Sequence, residues 1–429
     1  MSTQPAVAPL VVRTVELTGG DDDARSLLDL VPMESPLAWV RDDDGLIGWG
    51  EVARFDATGP DRFAAAEAWW KDLVAGAVVR DEVGLPGTGP VAFGSFAFDD
   101  TPGDSVLVVP QTVVGQRAGR RWVTTVSTAG DLPHHPVLPA REPVRSPGQI
   151  VFSDGARDGA SWEGAVRSAL GRIAEGAVDK VVLARDLVAE AGASIDIRWP
   201  LHRLASRYPR CWTFSVDSLV GATPELLVRR ERGLVTSRVL AGTIRRTGDD
   251  EHDLALAASL ARSSKDLEEH EYAVRSVAEA LGPHCDSMIV SEAPYVLHLP
   301  NVMHLASDLA GVSTNRGASL TTSTVTSLGL AEALHPSAAV GGTPVGAAVA
   351  TIRELEGMDR GRYAGPVGWI DAAGDGEWGI ALRCAQVDPE DGARMRLFAG
   401  CGIVAGSDPP AELAESVAKL VPMRDALGG

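Results

Sequence analysis

The chain has 429 residues with 46 Gly, 27 Pro and a hydrophobic share of 45%, enough apolar material for a sizeable core, which excludes a disordered or disulfide-stapled protein. Lys and Arg number 39 against 58 Asp and Glu, a formal charge of −19, so nucleic acid and anionic membrane are poor partners. No apolar run is long enough for a membrane span, Met1–Val15 lacks a signal-peptide pattern, and four cysteines without C-x-x-C spacing point to a reduced, cytoplasmic protein.

In chain order, short strands are expected at Pro36–Arg41, Gly45–Phe55, Val91–Phe98, Ser105–Val109 and Arg121–Val126, with a helix from Pro60 to Ala77. The acidic triplets Asp21–Asp23 and Asp42–Asp44 read as solvated turns, since a calcium loop needs spaced carboxylates and a terminal Glu. Residues 131–150 hold five prolines, a density that neither a helix nor a central strand tolerates. The expected division is therefore an N-terminal α+β subdomain over 1–150 and a larger domain over 151–429.

In that larger part, Ser161 can cap a helix carrying Trp162, Val166, Ala169, Leu170 and Ile173 that stops at Gly176. Strands are expected at Lys180–Arg185, Cys211–Val216, Pro224–Arg229, Leu234–Leu240, Gly365–Asp371, Trp378–Val387 and Met395–Phe398. Helices are expected at Asp250–Arg262, at Asp266–Leu281 and after Ser407-Asp408-Pro409. Helices set irregularly among strands argue for an α+β fold rather than a doubly wound sheet.

Only four of the 39 basic residues are lysine: Lys71, Lys180, Lys265 and Lys419. Arginine serves wherever a plain positive charge is wanted, and it cannot act as a base, whereas lysine can. Lys180, at the head of the apolar strand VVLA, is therefore either a chance survivor or a chemical group. In residues 399–420, Gly400, Gly402 and Gly406 leave room for an anion near the backbone, but their spacing is not the dinucleotide fingerprint. Glu412, Glu415 and Lys419 share one helical face, readable as a solvated face with one i,i+4 ion pair. Glu269 lies beside small residues Ala273, Ser276 and Ala280. It could meet a second carboxylate across a cavity and share Mg²⁺, which prefers oxygen ligands, or could simply be a solvated first turn. His270, His304 and His335 have no metal spacing, Ser215 and Ser237 have no nucleophile-elbow context, and no P-loop is present.

Taken together, KVVLARDL (180–187), GATPELLV (221–228), LAGTIRR (240–246), KDLEEHEYAV (265–274), HPSAAVGGTP (335–344), RGRYAGPVGW (360–369), IALRC (380–384), AGCGIVAGSDP (399–409) and AELAESVAK (411–419) resemble the chorismate-utilising enzymes. That family includes isochorismate synthase, salicylate synthase, aminodeoxychorismate synthase and the large subunit of anthranilate synthase. The resemblance covers about residues 160–420 and, more loosely, GLIGWGEVARF and PVAFGSFAFD near the N-terminus. It implies one large α+β unit of mostly antiparallel sheets flanked by helices, with a looser N-terminal part and chorismate bound in the 151–429 domain.

By resemblance, Lys180 matches the general base that activates water and Glu225 the general acid. Glu269 and Glu415 match the glutamates that hold Mg²⁺, with Glu412 helping through water. Arg383 and Tyr363 match residues that grip the substrate carboxylates, while Gly242, Thr243, His304, Gly402 and Lys419 match the pocket lining. No other cofactor and no obligatory protein partner is implied, and a monomer is expected. Ser337, Ala338 and Cys401 depart from the usual Thr, Pro and Ala and read as tolerated changes.

The residue types suit the chemistry. A dianionic substrate in an acidic protein needs local cations, here Mg²⁺, Arg383 and Lys419. Water must add at ring C2 while the C4 hydroxyl leaves with a proton, which takes one base and one acid. Lys180 must be neutral to accept a proton, and Glu225 must be protonated to donate one, a state that desolvation favours. A lysine at position 180 favours water as the nucleophile, hence isochorismate synthase. Salicylate synthase, an ammonia-using relative, and a dead binding subunit are the alternatives. Menaquinone biosynthesis is the expected pathway and a siderophore the alternative.

Overall fold

The computed structural model describes residues 8–17, 26–128, 138, 142–314 and 325–428. Asp21–Asp23 and half of the proline-rich segment, residues 131–137 and 139–141, lie outside the described residues.

Among the described residues the strands form two sheets, of 13 and 10 strands. The larger runs from the edge strand Ile150–Asp154 through Lys180–Ala191, Arg394–Ile403, Cys384–Val387, Leu219–Thr223 and Trp212–Val216. It continues without a break into N-terminal strands, beginning with Leu37–Arg41 and Asp44–Trp49. The smaller sheet is likewise shared: Pro366–Asp371 pairs with Val91–Ser95, placing Trp369 opposite Phe93. All described pairings are antiparallel except that of Leu10–Glu16 with Val78–Asp81. One apolar core takes in Trp39 and Phe93 from the first 150 residues together with Trp162, Phe214 and Trp378. The architecture is thus the expected α+β class of large, mostly antiparallel sheets flanked by helices.

Several expected elements divide or lengthen for local reasons. The run Gly45–Phe55 is two strands, Asp44–Trp49 and Ala53–Ala57. Between them Gly50 turns the chain at φ +69, a conformation glycine adopts cheaply. Trp378–Val387 splits into Gly376–Ile380 and Cys384–Val387, with Arg383 at φ +49 in the gap. The helix expected to start behind Ser161 is Gly159–Ala174, capped by Asp158, whose carboxylate accepts from Ser161 N at 2.7 Å. Asp408 caps the final helix, Pro409–Leu427, as expected, accepting from Ala411 N at 3.1 Å.

Three pairings position the site. Strand Lys180–Ala191 lies against Arg394–Ile403, setting Val182 opposite Gly402. Strand Leu234–Arg245 lies against Val302–Ser313, setting Thr243 opposite His304, with a bulge between Ala241 and Thr243 that Gly242 absorbs at φ +79. Helix Ser264–Leu281, capped by the Ser263 hydroxyl on Asp266 N at 3.3 Å, crosses strand Leu234–Arg245.

Candidate active site

A cavity between these elements is lined by Glu225, Gly242, Thr243, Glu269, His304, Tyr363, Arg383, Gly402 and Lys419, among others. Nine of the twelve site residues expected from the sequence therefore line one cavity. The other three stand just behind it. Lys180 has no exposed surface, and a Cβ at Gly402 would fall 3.0 Å from Lys180 Cε. Glu412 and Glu415 lie with the Cys401 thiol, their ligand atoms all within 4.8 Å of one another. The cavity encloses about 60 Å³, far below an ordinary small-molecule pocket, so the site is drawn tight around its charges.

Glu225 follows strand Leu219–Thr223 and is 4% exposed. Burial pushes its carboxyl up to about 8, against the opposing pull of Leu240 N–H, Lys180, Lys419 and Arg383. It is therefore held protonated at neutral pH, as a general acid requires. Lys180 Nζ lies 3.3 Å from Glu269 Oε1, and the two form a largely buried ion pair. A fully buried lysine in an apolar strand is costly to desolvate, and Glu269 is the group that offsets its charge.

Arg383 Nη2 donates to His304 Nε2 at 3.2 Å, and His304 Nδ1 lies 3.0 Å from Thr243 Oγ1. Since guanidinium only donates, Nε2 accepts and Nδ1 carries the proton. Burial, with Arg383 and Lys419, keeps His304 neutral, well below its ordinary pKa. The positive φ of Arg383 is uncommon for a side-chain-bearing residue and aims the guanidinium inward. Tyr363 stacks on Phe398 at 5.1 Å, 11° from parallel. His270 and His335 are satisfied core histidines. His270 Nδ1 donates to Ala241 O at 3.2 Å and its Nε2 accepts from Ser307 at 2.9 Å, while His335 Nε2 donates to Phe98 O at 2.9 Å.

The three glutamates each face a lysine. Glu269 meets Lys180, Glu412 meets Lys265 at 2.6 Å, and Glu415 meets Lys419 at 2.6 Å. Burial opposes the charge on Glu269, but Lys180 and Lys419 outweigh it and its pKa is lowered. Glu415 goes the other way: burial raises it, and Glu412 and Glu269 add to the rise against Lys419. Carboxylates crowded so that they repel fit a hard divalent cation such as Mg²⁺. Burial drives the Cys401 thiol well above its ordinary pKa, and it donates to the Glu412 carbonyl at 3.3 Å, so it adds no soft thiolate to the donor set.

Two groups had no role in the sequence reading. Lys265 is one; the scarcity of lysine was the signal that could have found it. The other is the buried pair Arg360–Glu356. Arg360 donates to Val182 O at 2.7 Å and Val340 O at 2.9 Å, while Glu356 accepts from Ala184 N at 2.7 Å. The pair thus ties the strand that carries Lys180 to the neighbouring segment at Val340.

A larger cleft, of about 680 Å³, is lined by Trp39, Trp122, Trp212, Trp369, Arg41 and Glu377, among others. Its buried acid Glu377 is already committed to Trp39, Trp212, Arg117 and Arg229. It offers no counterpart to the Lys180–Glu225 set.

The family described as "Chorismate binding enzyme" matches residues 35–428. "Isochorismate synthase DhbC" of Bacillus subtilis is 40% identical over 278 residues, 62% of this chain and 67% of that protein. "Salicylate biosynthesis isochorismate synthase" of Pseudomonas aeruginosa is 33% identical over 420 residues, 91% of this chain and 84% of that protein. The structure of MenF, the menaquinone-specific isochorismate synthase from Escherichia coli, superposes with a TM-score of 0.77 at 23% identity, covering 99% of this chain and 96% of MenF; it shares the fold. With the family matching nearly the whole described chain, the protein belongs to the chorismate-binding enzymes.

Proposed function

We propose that this chain is a Mg²⁺-dependent isochorismate synthase, reversibly converting chorismate to isochorismate. The observation that carries the reading is one fully buried lysine, Lys180, set against Glu269 at 3.3 Å, in the same site as a carboxyl raised to about 8, Glu225. Lys180 takes a proton from the water that forms the new C2–O bond. The ring double bond shifts, the C4–O bond breaks, and Glu225 supplies the proton with which that oxygen leaves as water. Reversal exchanges the roles. Curated relatives named isochorismate synthase support this choice within the family.

Arg383 and Tyr363 hold the substrate carboxylates, with Lys419 as a further cation. The neutral His304 fixes the Arg383 fork from one side, and Thr243 fixes His304 in turn. Glu269 and Glu415 would hold Mg²⁺, with Glu412 beside them. Bound there, the ion supplies positive charge to a substrate carboxylate and relieves the repulsion among the glutamates. We further propose a cytoplasmic monomer, in keeping with four unpaired thiols and with no helix among the described residues long and apolar enough to cross a membrane. The proposed pathway is menaquinone biosynthesis. A deletion strain that requires menaquinone supports it, and one that loses only a siderophore overturns it.

The test is product analysis of the purified chain with chorismate and Mg²⁺ alone. Isochorismate in equilibrium with chorismate is expected. Salicylate with pyruvate as main products, or consumption only on adding ammonia, would instead assign the chain to another branch of the family.

A further inference from the structure

Three of the chain's four lysines stand against Glu269, Glu412 and Glu415. Lys180 and Lys419 have roles in the proposed chemistry. Lys265 has none and is absent from the cavity wall. It sits in the first turn of helix Ser264–Leu281, where the helix dipole disfavours a cation.

What holds it there is Glu412, whose side chain is only 2% exposed. Without a cation beside it, that carboxylate would be a buried, uncompensated charge, a strongly destabilising state. Lys265 also responds to the other two acids: burial opposes its charge, but Glu412, Glu415 and Glu269 together raise its pKa. Its side chain is 34% exposed, against 0% for Lys180 and 15% for Lys419. Of the three side chains it is the most exposed, on a flexible four-carbon stem.

Resting on the metal site of the proposed function, we infer that Lys265 is a tethered counter-cation. It neutralises Glu412 in the metal-free enzyme and competes with the divalent ion for the acidic cluster. The cluster then stays folded and satisfied without metal, at the expense of weaker metal affinity. When the ion binds, the Lys265 ammonium withdraws to water and Glu412 is freed to turn towards the ion or its waters.

The experiment compares the full-length wild type with Lys265→Met, which keeps the stem and loses the charge, and with Lys265→Arg, which keeps the charge. Mn²⁺ binding is measured without substrate by the loss of the free-ion electron paramagnetic resonance signal, and melting is measured in chelator and in saturating Mg²⁺. Removing one positive charge near a dication raises its affinity, so Lys265→Met is expected to bind Mn²⁺ about tenfold tighter or more, with Lys265→Arg close to wild type. Lys265→Met is also expected to melt lower than wild type in chelator, with the gap narrowing in Mg²⁺.

Wild-type binding with unchanged or weaker affinity in Lys265→Met overturns this inference alone. No binding by any of the three overturns it together with the metal reading. The wild type gives a check that needs no substitution. With four lysines in the chain, titrating ¹³C-lysine-labelled protein with Mg²⁺ should move one Cε signal towards the position of free lysine. A spectrum that does not move overturns the inference.

Discussion

Lys180 Nζ lies 3.3 Å from Glu269 Oε1, so the proposed base and a proposed metal ligand are neighbours across the strand face at Gly402. The closeness depends on that glycine. A Cβ at position 402 would fall 2.3 Å from Glu269 Oε1 and 3.0 Å from Lys180 Cε. Gly402→Ala should therefore push the two groups apart, with a stability cost in the overpacking range of about 1–3 kcal/mol and a much larger loss of turnover. Denaturant melts beside steady-state kinetics check this. A variant as active as wild type would show that the Lys180–Glu269 arrangement is incidental.

Lys180 should not be replaceable by arginine. Guanidinium stays protonated in proteins, and general-base catalysis is worth about 10²–10⁴-fold, so Lys180→Arg should lose at least about a hundredfold in kcat. Chorismate binding should largely survive, because Arg383 and Tyr363 are untouched. Lys71, 49% exposed and paired with Glu67, provides the control, and Lys71→Arg should be near silent. Near-normal turnover in Lys180→Arg would reduce Lys180 to an electrostatic role.

Glu225 sets a pH dependence of definite sign. Its carboxyl rises from 4.5 to about 8 on folding, so below pH 4.5 both states hold the proton. Between the two values the unfolded chain releases it and the folded chain keeps it. Stability therefore falls as pH rises through this window and levels off above it. Turnover should fall above about pH 8, as the acid loses its proton. Denaturant midpoints at pH 5 and pH 8 should differ less in Glu225→Gln than in wild type. Part of the slope should remain, because burial also raises Asp371, to about 7. Equal slopes in the two proteins would contradict the assignment.

Metal removal should abolish turnover, and added Mg²⁺ should restore it. Glu269→Gln should weaken Mg²⁺ binding, measured by calorimetry, while leaving circular dichroism unchanged. Full activity in excess chelator would remove the metal from the account.

The fold class was legible because its signals are local: alternating apolar strands, and Asp408 before Pro409 at the start of the last helix. The breaks at Gly50 and Arg383 were not, because a single residue at positive φ interrupts an otherwise continuous apolar run. Strands such as Cys285–Val290 and Val302–Ser313 escaped notice because their apolar residues do not stand out from the flanking sequence. Lys180 could be singled out by the scarcity of lysine, whereas the roles of Glu225 and Arg383 came only from family resemblance. Lys265 is hidden because its partner is distant in sequence, and the i,i+4 pair Arg360–Glu356 because the groups it ties down are distant backbone atoms. Lys265 meets Glu412 across 147 positions, and Arg360 meets Val182 O across 178.

The most direct test of the central claim is the fate of isotopic oxygen. Chorismate and Mg²⁺ are incubated with the enzyme in H₂¹⁸O, and product and recovered substrate are read by mass spectrometry and ¹³C isotope shifts. Water addition at C2 predicts isochorismate carrying one ¹⁸O in its C2 hydroxyl, with label entering the C4 hydroxyl of chorismate as the reaction reverses. Isochorismate formed without ¹⁸O at C2 would mean that the C4 oxygen migrates within the substrate, and would contradict the account of Lys180 as the base that activates water.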